Sequence, residues 1–122
     1  MGTVKIYVGK KENSNKLRLR DSENNNPGND KITTGVNPGD TVEWIIDTEH
    51  PGISSILKVE RKKESDSHHL LTAEPDNPNG VWQGTVKKPS VGKDKIEKYR
   101  IKYTVEDSSD SHWDDPKLKM NT

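Results

Sequence analysis

Two histidines, His50 and His112, are the residues of this chain whose chemistry is easiest to imagine in use. An imidazole nitrogen ligates Cu(II) or Zn(II), and Asp47, Glu49 or Asp110 could complete the shell if the loops carrying the two histidines meet. Two histidines without defined spacing are also what a pair of solvated loops would show. His68-His69 is a weaker pair, because neighbours on an extended segment point to opposite faces and cannot readily chelate one ion. Asp107, Asp110, Asp114 and Asp115 place hard oxygen donors within nine residues, a density that suits calcium. The spacing is not that of an EF-hand loop and its central glycine is missing, so a solvated acidic turn is expected.

Catalytic chemistry finds little support. The chain has no cysteine, which removes disulfides, thiolate metal sites and thiol nucleophiles. No serine sits in a nucleophile-elbow context and no histidine in a zinc-protease motif, so no catalytic residues are assigned and no enzyme is expected. Trp113 lies in a polar stretch and is a candidate anchor for a partner or a sugar ring, against the plainer expectation that it packs over one end of the domain. Trp44 and Trp82 fall at inward positions and are expected in the core.

A basic run from Lys87 to Lys102, with Tyr99 and Tyr103 among its cations, raises nucleic acid as a partner. Alternation sets both tyrosines opposite to Arg100 and Lys102, so stacking and phosphate contact would not share one surface. No nucleic-acid partner is therefore expected. With 20 basic and 20 acidic side chains the formal charge is zero, and the molecule as a whole has no field to draw in a polyanion. The bland expectation is a surface of mixed charge.

At 122 residues the chain suits one domain, 1–122. Only 26% of residues are hydrophobic, a composition that suggests disorder unless the apolar positions are ordered in short alternating runs, as they are here. A thin core between two layers follows. No segment approaches the roughly 20 apolar residues of a membrane helix, and membrane insertion is not expected. Met1-Gly2-Thr3 leads almost directly into a strand, compatible with an intracellular protein or with a mature domain whose leader was removed, so the compartment stays open.

Alternation defines the elements. Val4, Ile6 and Val8 form a first strand ending at Gly9, and Leu17 and Leu19 a second. The polar stretch 21–30 reads as a loop, 32–36 as a short edge strand, and 41–46 as a strand leaving the turn Asn37-Pro38-Gly39-Asp40 with Val42, Trp44 and Ile46 on one side. Residues 53–60 follow, with Leu57 and Val59 expected to share a face. After a long charged and proline-rich region, 81–86 resumes a strand in which Gly84 predicts a bulge or a close backbone approach. Tyr99, Ile101, Tyr103 and Val105 give the cleanest alternation and predict a central strand. Residues 107–115 read as an acidic loop holding His112 and Trp113, and Pro116 opens a last strand with Leu118 and Met120 inward. Sustained helical periodicity is absent.

Eight or nine strands with turns roughly every ten residues predict an all-β fold, a two-sheet antiparallel Greek-key sandwich. The stretch Pro38-Gly39-Asp40-Thr41-Val42-Glu43-Trp44, with His50 six residues beyond the tryptophan, resembles the cupredoxin pattern, in which such a strand leads into a loop carrying the first copper-binding histidine. The 99–105 strand, the His112 loop and the 116–120 strand are similar to that family's strand, ligand loop and last strand. Other immunoglobulin-like sandwiches use such a turn too. The resemblance implies copper, held by two histidines, a cysteine and usually a methionine, but this chain has no thiolate and so no blue-copper centre. What it implies here is a non-catalytic binding or structural module, with an unknown protein or small ligand as partner and no cofactor. The alternative is a protein holding Cu(II) or Zn(II) through His50 and His112.

Overall fold

A computed structural model describes residues 2–122, which form nine strands and no helix. In chain order they are β1 (Thr3–Lys10), β2 (Leu17–Asp21), β3 (Thr33–Val36), β4 (Thr41–Ile46), β5 (Ile53–Arg61), β6 (Trp82–Thr85), β7 (Ile96–Val105), β8 (Ser111–Asp114) and β9 (Lys117–Met120). One sheet, here sheet A, has the order β2-β1-β4-β6. Sheet B has the order β3-β9-β7-β5, with β8 also on β7.

The expected all-β, two-sheet sandwich is present, and its sheets are mixed. β1 runs parallel to β4 from Thr3↔Thr41 to Val8↔Ile46, and β3 runs parallel to β9 from Thr33↔Lys117 to Val36↔Met120. The remaining ladders are antiparallel. Alternation locates the strands and their faces but says nothing of which strand lies beside which, so the parallel pairs emerge only with the assembled sheets.

β7 is the spine of sheet B. Its ten residues alternate strictly between half-exposed and buried, and its two halves pair with different strands along one edge. Lys98 faces Lys117 of β9, while Lys102 faces Trp113 of β8. The expected acidic loop at 107–115 is thus shorter than its composition suggests. Residues 111–114 pair with β7 despite having only one strongly apolar residue, because a partner edge supplies the backbone bonds that local propensity does not. Asp115 and Pro116 separate β8 from β9, since proline has no N–H to donate to the ladder.

A single apolar cluster fills the space between the sheets. Trp44 of sheet A and Tyr99 of sheet B meet edge to face with centroids 5.4 Å apart, and Trp44 Nε1 donates to Tyr99 Oη at 3.1 Å. Burial without a charge partner pushes the Tyr99 phenol far above its ordinary value. Met120 is fully buried, as its parity predicts. Trp82 only borders the core, and its indole N–H caps the Ile56 carbonyl on the outer edge of β5. Register shifts along β5 turn Leu57 to solvent while Val59 stays inside, and Ile46 at the end of β4 is exposed as well. Gly84 is a close approach, because a Cβ there would stand 3.0 Å from Leu71 Cδ1.

Several buried positions are acidic, and one of them lies on the spine strand. Glu97 falls on the inward side of β7, fully buried, where Oε1 accepts the amides of Leu70 (2.7 Å) and Leu71 (3.1 Å) and Oε2 lies 2.9 Å from Arg61 Nε. It ties the long 62–81 connection to the core. Replacing Glu97 with alanine would leave Arg61 unpaired and two buried amides without acceptors. Urea unfolding of Glu97→Ala is expected to show a loss of about 3–5 kcal/mol.

Candidate functional site

Three connections converge at one end of the sandwich: the β1–β2 turn, the β4–β5 loop with His50, and the β7–β8 loop. Ile53 opposes Val105, and the Glu106 amide donates to Gly52 O at 2.8 Å, so the β4–β5 and β7–β8 connections lie side by side as the sequence suggests.

The β4–β5 loop is held by Asp47. Its buried carboxylate accepts two bonds from Arg20, at 2.8 and 3.1 Å, one from the Glu49 amide at 2.9 Å, and lies 2.9 Å from His50 Nδ1. Burial works to raise this carboxyl, but the hydrogen bonds from Arg20, His50 and Glu49 outweigh it and hold the group well below the usual carboxylate range. Arg20 also reaches Glu49 at 2.7 Å and lies 4.2 Å above the Tyr7 ring. Gly9 completes the anchorage. Its missing side chain admits the loop, since a Cβ there would stand 2.7 Å from His50 Cβ and 3.0 Å from His50 O.

That anchorage places His50 in an open cleft of about 480 Å³, lined chiefly by Lys10, Glu12, Asn13, Arg18 and Glu49. His112 is elsewhere. It stacks against Tyr103 with centroids 5.6 Å apart and lines a second cleft with Ser14, Asn15, Lys16 and Trp113. The β1–β2 turn contributes residues 12–13 to the first cleft and 14–16 to the second, so one turn borders both. Among the described residues no group of three or more His, Asp or Glu side chains is placed to hold a metal ion. Blue copper does not fit these donors: the thiolate is missing, one imidazole nitrogen of His50 is engaged by Asp47, and the two histidines line different clefts.

The acidic stretch is also divided. Asp114 is buried beneath the second cleft, where Oδ2 accepts the Leu17 amide at 2.9 Å and lies 2.8 Å from Tyr103 Oη, while Oδ1 is 3.4 Å from Lys16 Nζ. Tyr103 Oη is also 2.7 Å from Asn15 O. One O–H can donate to only one acceptor, so both contacts are full hydrogen bonds only when Asp114 carries a proton. Burial raises the Asp114 carboxyl in the same sense, against the lowering effect of the Leu17 amide. Asp107 and Asp110 stay exposed in the loop. Trp113, expected in a loop like His112 and Asp114, sits with them on β8, 38% exposed, with Arg100 Cζ 4.1 Å and Lys102 Nζ 5.6 Å from its ring centroid. His68 and His69 lie in the 62–81 connection, where the His68 amide donates to Ile96 O of β7 at 2.8 Å.

Neither a scan against protein-family models nor a search of curated proteins gives a match to this chain.

Asp47 and Asp114, both buried, act oppositely on acid stability. Asp47, depressed in the fold, contributes stability that is complete above its unfolded value near 4 and is lost as pH falls toward the folded value. Asp114, raised in the fold, contributes stability below that unfolded value, lost as pH rises through the folded one. Asp47→Asn is expected to cost about 2 kcal/mol near neutrality and to remove part of the acid-limb decline, read from denaturant midpoints across pH 2 to 7. Gly9→Ala tests the close approach: an added methyl against the His50 backbone should cost about 1–3 kcal/mol and shift the His50 imidazole resonances.

Proposed function

We propose that this chain is a cupredoxin-like sandwich without a blue-copper centre and works as a non-catalytic binding module, engaging a protein or small ligand at the end where the β1–β2, β4–β5 and β7–β8 connections meet. The observation that carries this reading is the pair of open clefts on either side of one short turn, with walls fixed by buried carboxylates. A surface whose loops are tied down in advance loses little freedom on binding, which favours recognition. The Pro38–Trp44 motif and the placement of His50 beyond it support the cupredoxin-like assignment. The absent cysteine and the separate settings of His50 and His112 weigh against a metal role.

Binding at the loop end is tested by capture from the source organism's extract on immobilised wild-type protein beside Glu12→Lys/Glu49→Lys. A partner retained by the wild type and lost from the variant is the expected outcome; equal retention would place binding elsewhere. Native mass spectrometry with equimolar Zn(II) or Cu(II) is expected to give the bare mass. A metal adduct at unit stoichiometry, abolished by His50→Ala and His112→Ala, would replace this reading with metal binding.

A further inference from the structure

The chain is neutral overall, yet the outer face of sheet B is not. Its strands turn Lys58, Lys98, Arg100, Lys102, Lys117 and Lys119 outward, with Glu60 as their one outward-facing acid. The other acids that meet this face come from its rim: Glu64 and Asp66 reach Lys98, and Asp94 reaches Lys119. Lys102 and Lys117 have no ion pair among the described residues.

The registers make the arrangement costly. Lys58 stands directly opposite Lys102, and Lys98 directly opposite Lys117. Like charges at opposed positions destabilise a sheet. Carboxylates already meet one lysine of each pair, Glu60 at Lys58 and Glu64 and Asp66 at Lys98, which leaves Lys102 and Lys117 as the cations for a bound anion to neutralise.

Trp113 supplies the second feature. The expectation against nucleic acid rested on the zero net charge and on the tyrosines, and Tyr99 and Tyr103 are indeed buried beneath this sheet. Pairing of β8 with β7 nevertheless brings a tryptophan onto the cationic side, so that Lys58, Lys102 and Trp113 form one row across β5, β7 and β8. Adjacent strands are about 4.8 Å apart, a spacing that lets one extended ligand touch all three. A cationic track beside an aromatic face is the combination that binds unpaired nucleotides, through phosphate contact and base stacking.

We propose that the outer face of sheet B binds single-stranded nucleic acid without sequence preference, its phosphates on Lys58, Lys102 and Lys117 and one base on Trp113. The lysines alone would take any anion; the partly exposed Trp113 ring beside them, on which a base can stack, favours a polynucleotide over an acidic peptide. A base must be unpaired to reach the ring, which favours a single strand over a duplex. This surface is separate from the loop-end clefts except at Trp113, so its test does not depend on the function proposed above.

The test is fluorescence anisotropy of a short labelled oligothymidylate titrated with the intact chain at low salt. Saturable binding is expected, with log K falling against log salt at a slope of about −2, three contacts at about −0.7 each. Lys102→Glu/Lys117→Glu should weaken it at least about tenfold. Trp113→Ala should weaken it about five- to hundredfold, the loss of one stacked base. Lys5→Glu, on sheet A, should leave it unchanged. Circular dichroism and thermal melts check that each variant folds, and the milder Lys102→Gln/Lys117→Gln replaces the charge reversal if it does not. Absence of binding at low salt, or binding that the lysine variants leave intact, overturns the proposal. Equally tight binding of a sulfated polysaccharide, indifferent to Trp113→Ala, also overturns it and marks the face as a general polyanion surface.

Discussion

Five carboxylates lie in the interior of this small sandwich, and each accepts hydrogen bonds from backbone amides. Asp21 holds the amides of Glu23 and Asn25 together with the Thr34 hydroxyl, and Asp40 holds those of Gly2 and Asn37. Asp47 holds Glu49, Glu97 holds Leu70 and Leu71, and Asp114 holds Leu17. A chain with 26% hydrophobic residues has little apolar surface with which to pin its connections. Buried carboxyl groups do that work, since removing an oxygen that accepts buried amides leaves those donors unsatisfied at a large penalty.

The loop end inherits its geometry from these ties. Asp47 fixes the β4–β5 loop against Arg20 and Gly9, and Asp114 fixes the start of β2 against β8. His50 and His112 are therefore held by different staples on either side of one turn. Their separation follows from that anchoring, and it turns the loop end from one candidate metal centre into two clefts. The same logic divides the acidic stretch 107–115, where the one aspartate with a partner strand goes inside and the loop aspartates face water.

Part of this was open to reading in advance. The inward sets Val4, Ile6, Val8 and Tyr99, Ile101, Tyr103, Val105 are buried as alternation predicts, and so are Leu118 and Met120. Glu97 and Asp21 continue the inward parity of Tyr99 and of Leu17 and Leu19, so an acid at an inward position was a visible signal of a buried tie. Asp114 gave none, because its burial depends on β8 forming at all. Leu57 misleads for a related reason: register shifts in β5 reset the parity, and they arise from pairing with β7.

By itself the sequence determined the class of fold, the inward and outward faces of most strands, and the exclusion of thiolate chemistry, because strand alternation and side-chain inventory are local properties. Only the tertiary structure decided that β1 lies parallel to β4, that His50 rests on Gly9 away from His112, and that Trp113 joins Arg100 and Lys102 on one face. Those facts depend on register between segments distant in the chain. Register is set by the packing of the whole core and the edges it leaves free, which no single stretch contains.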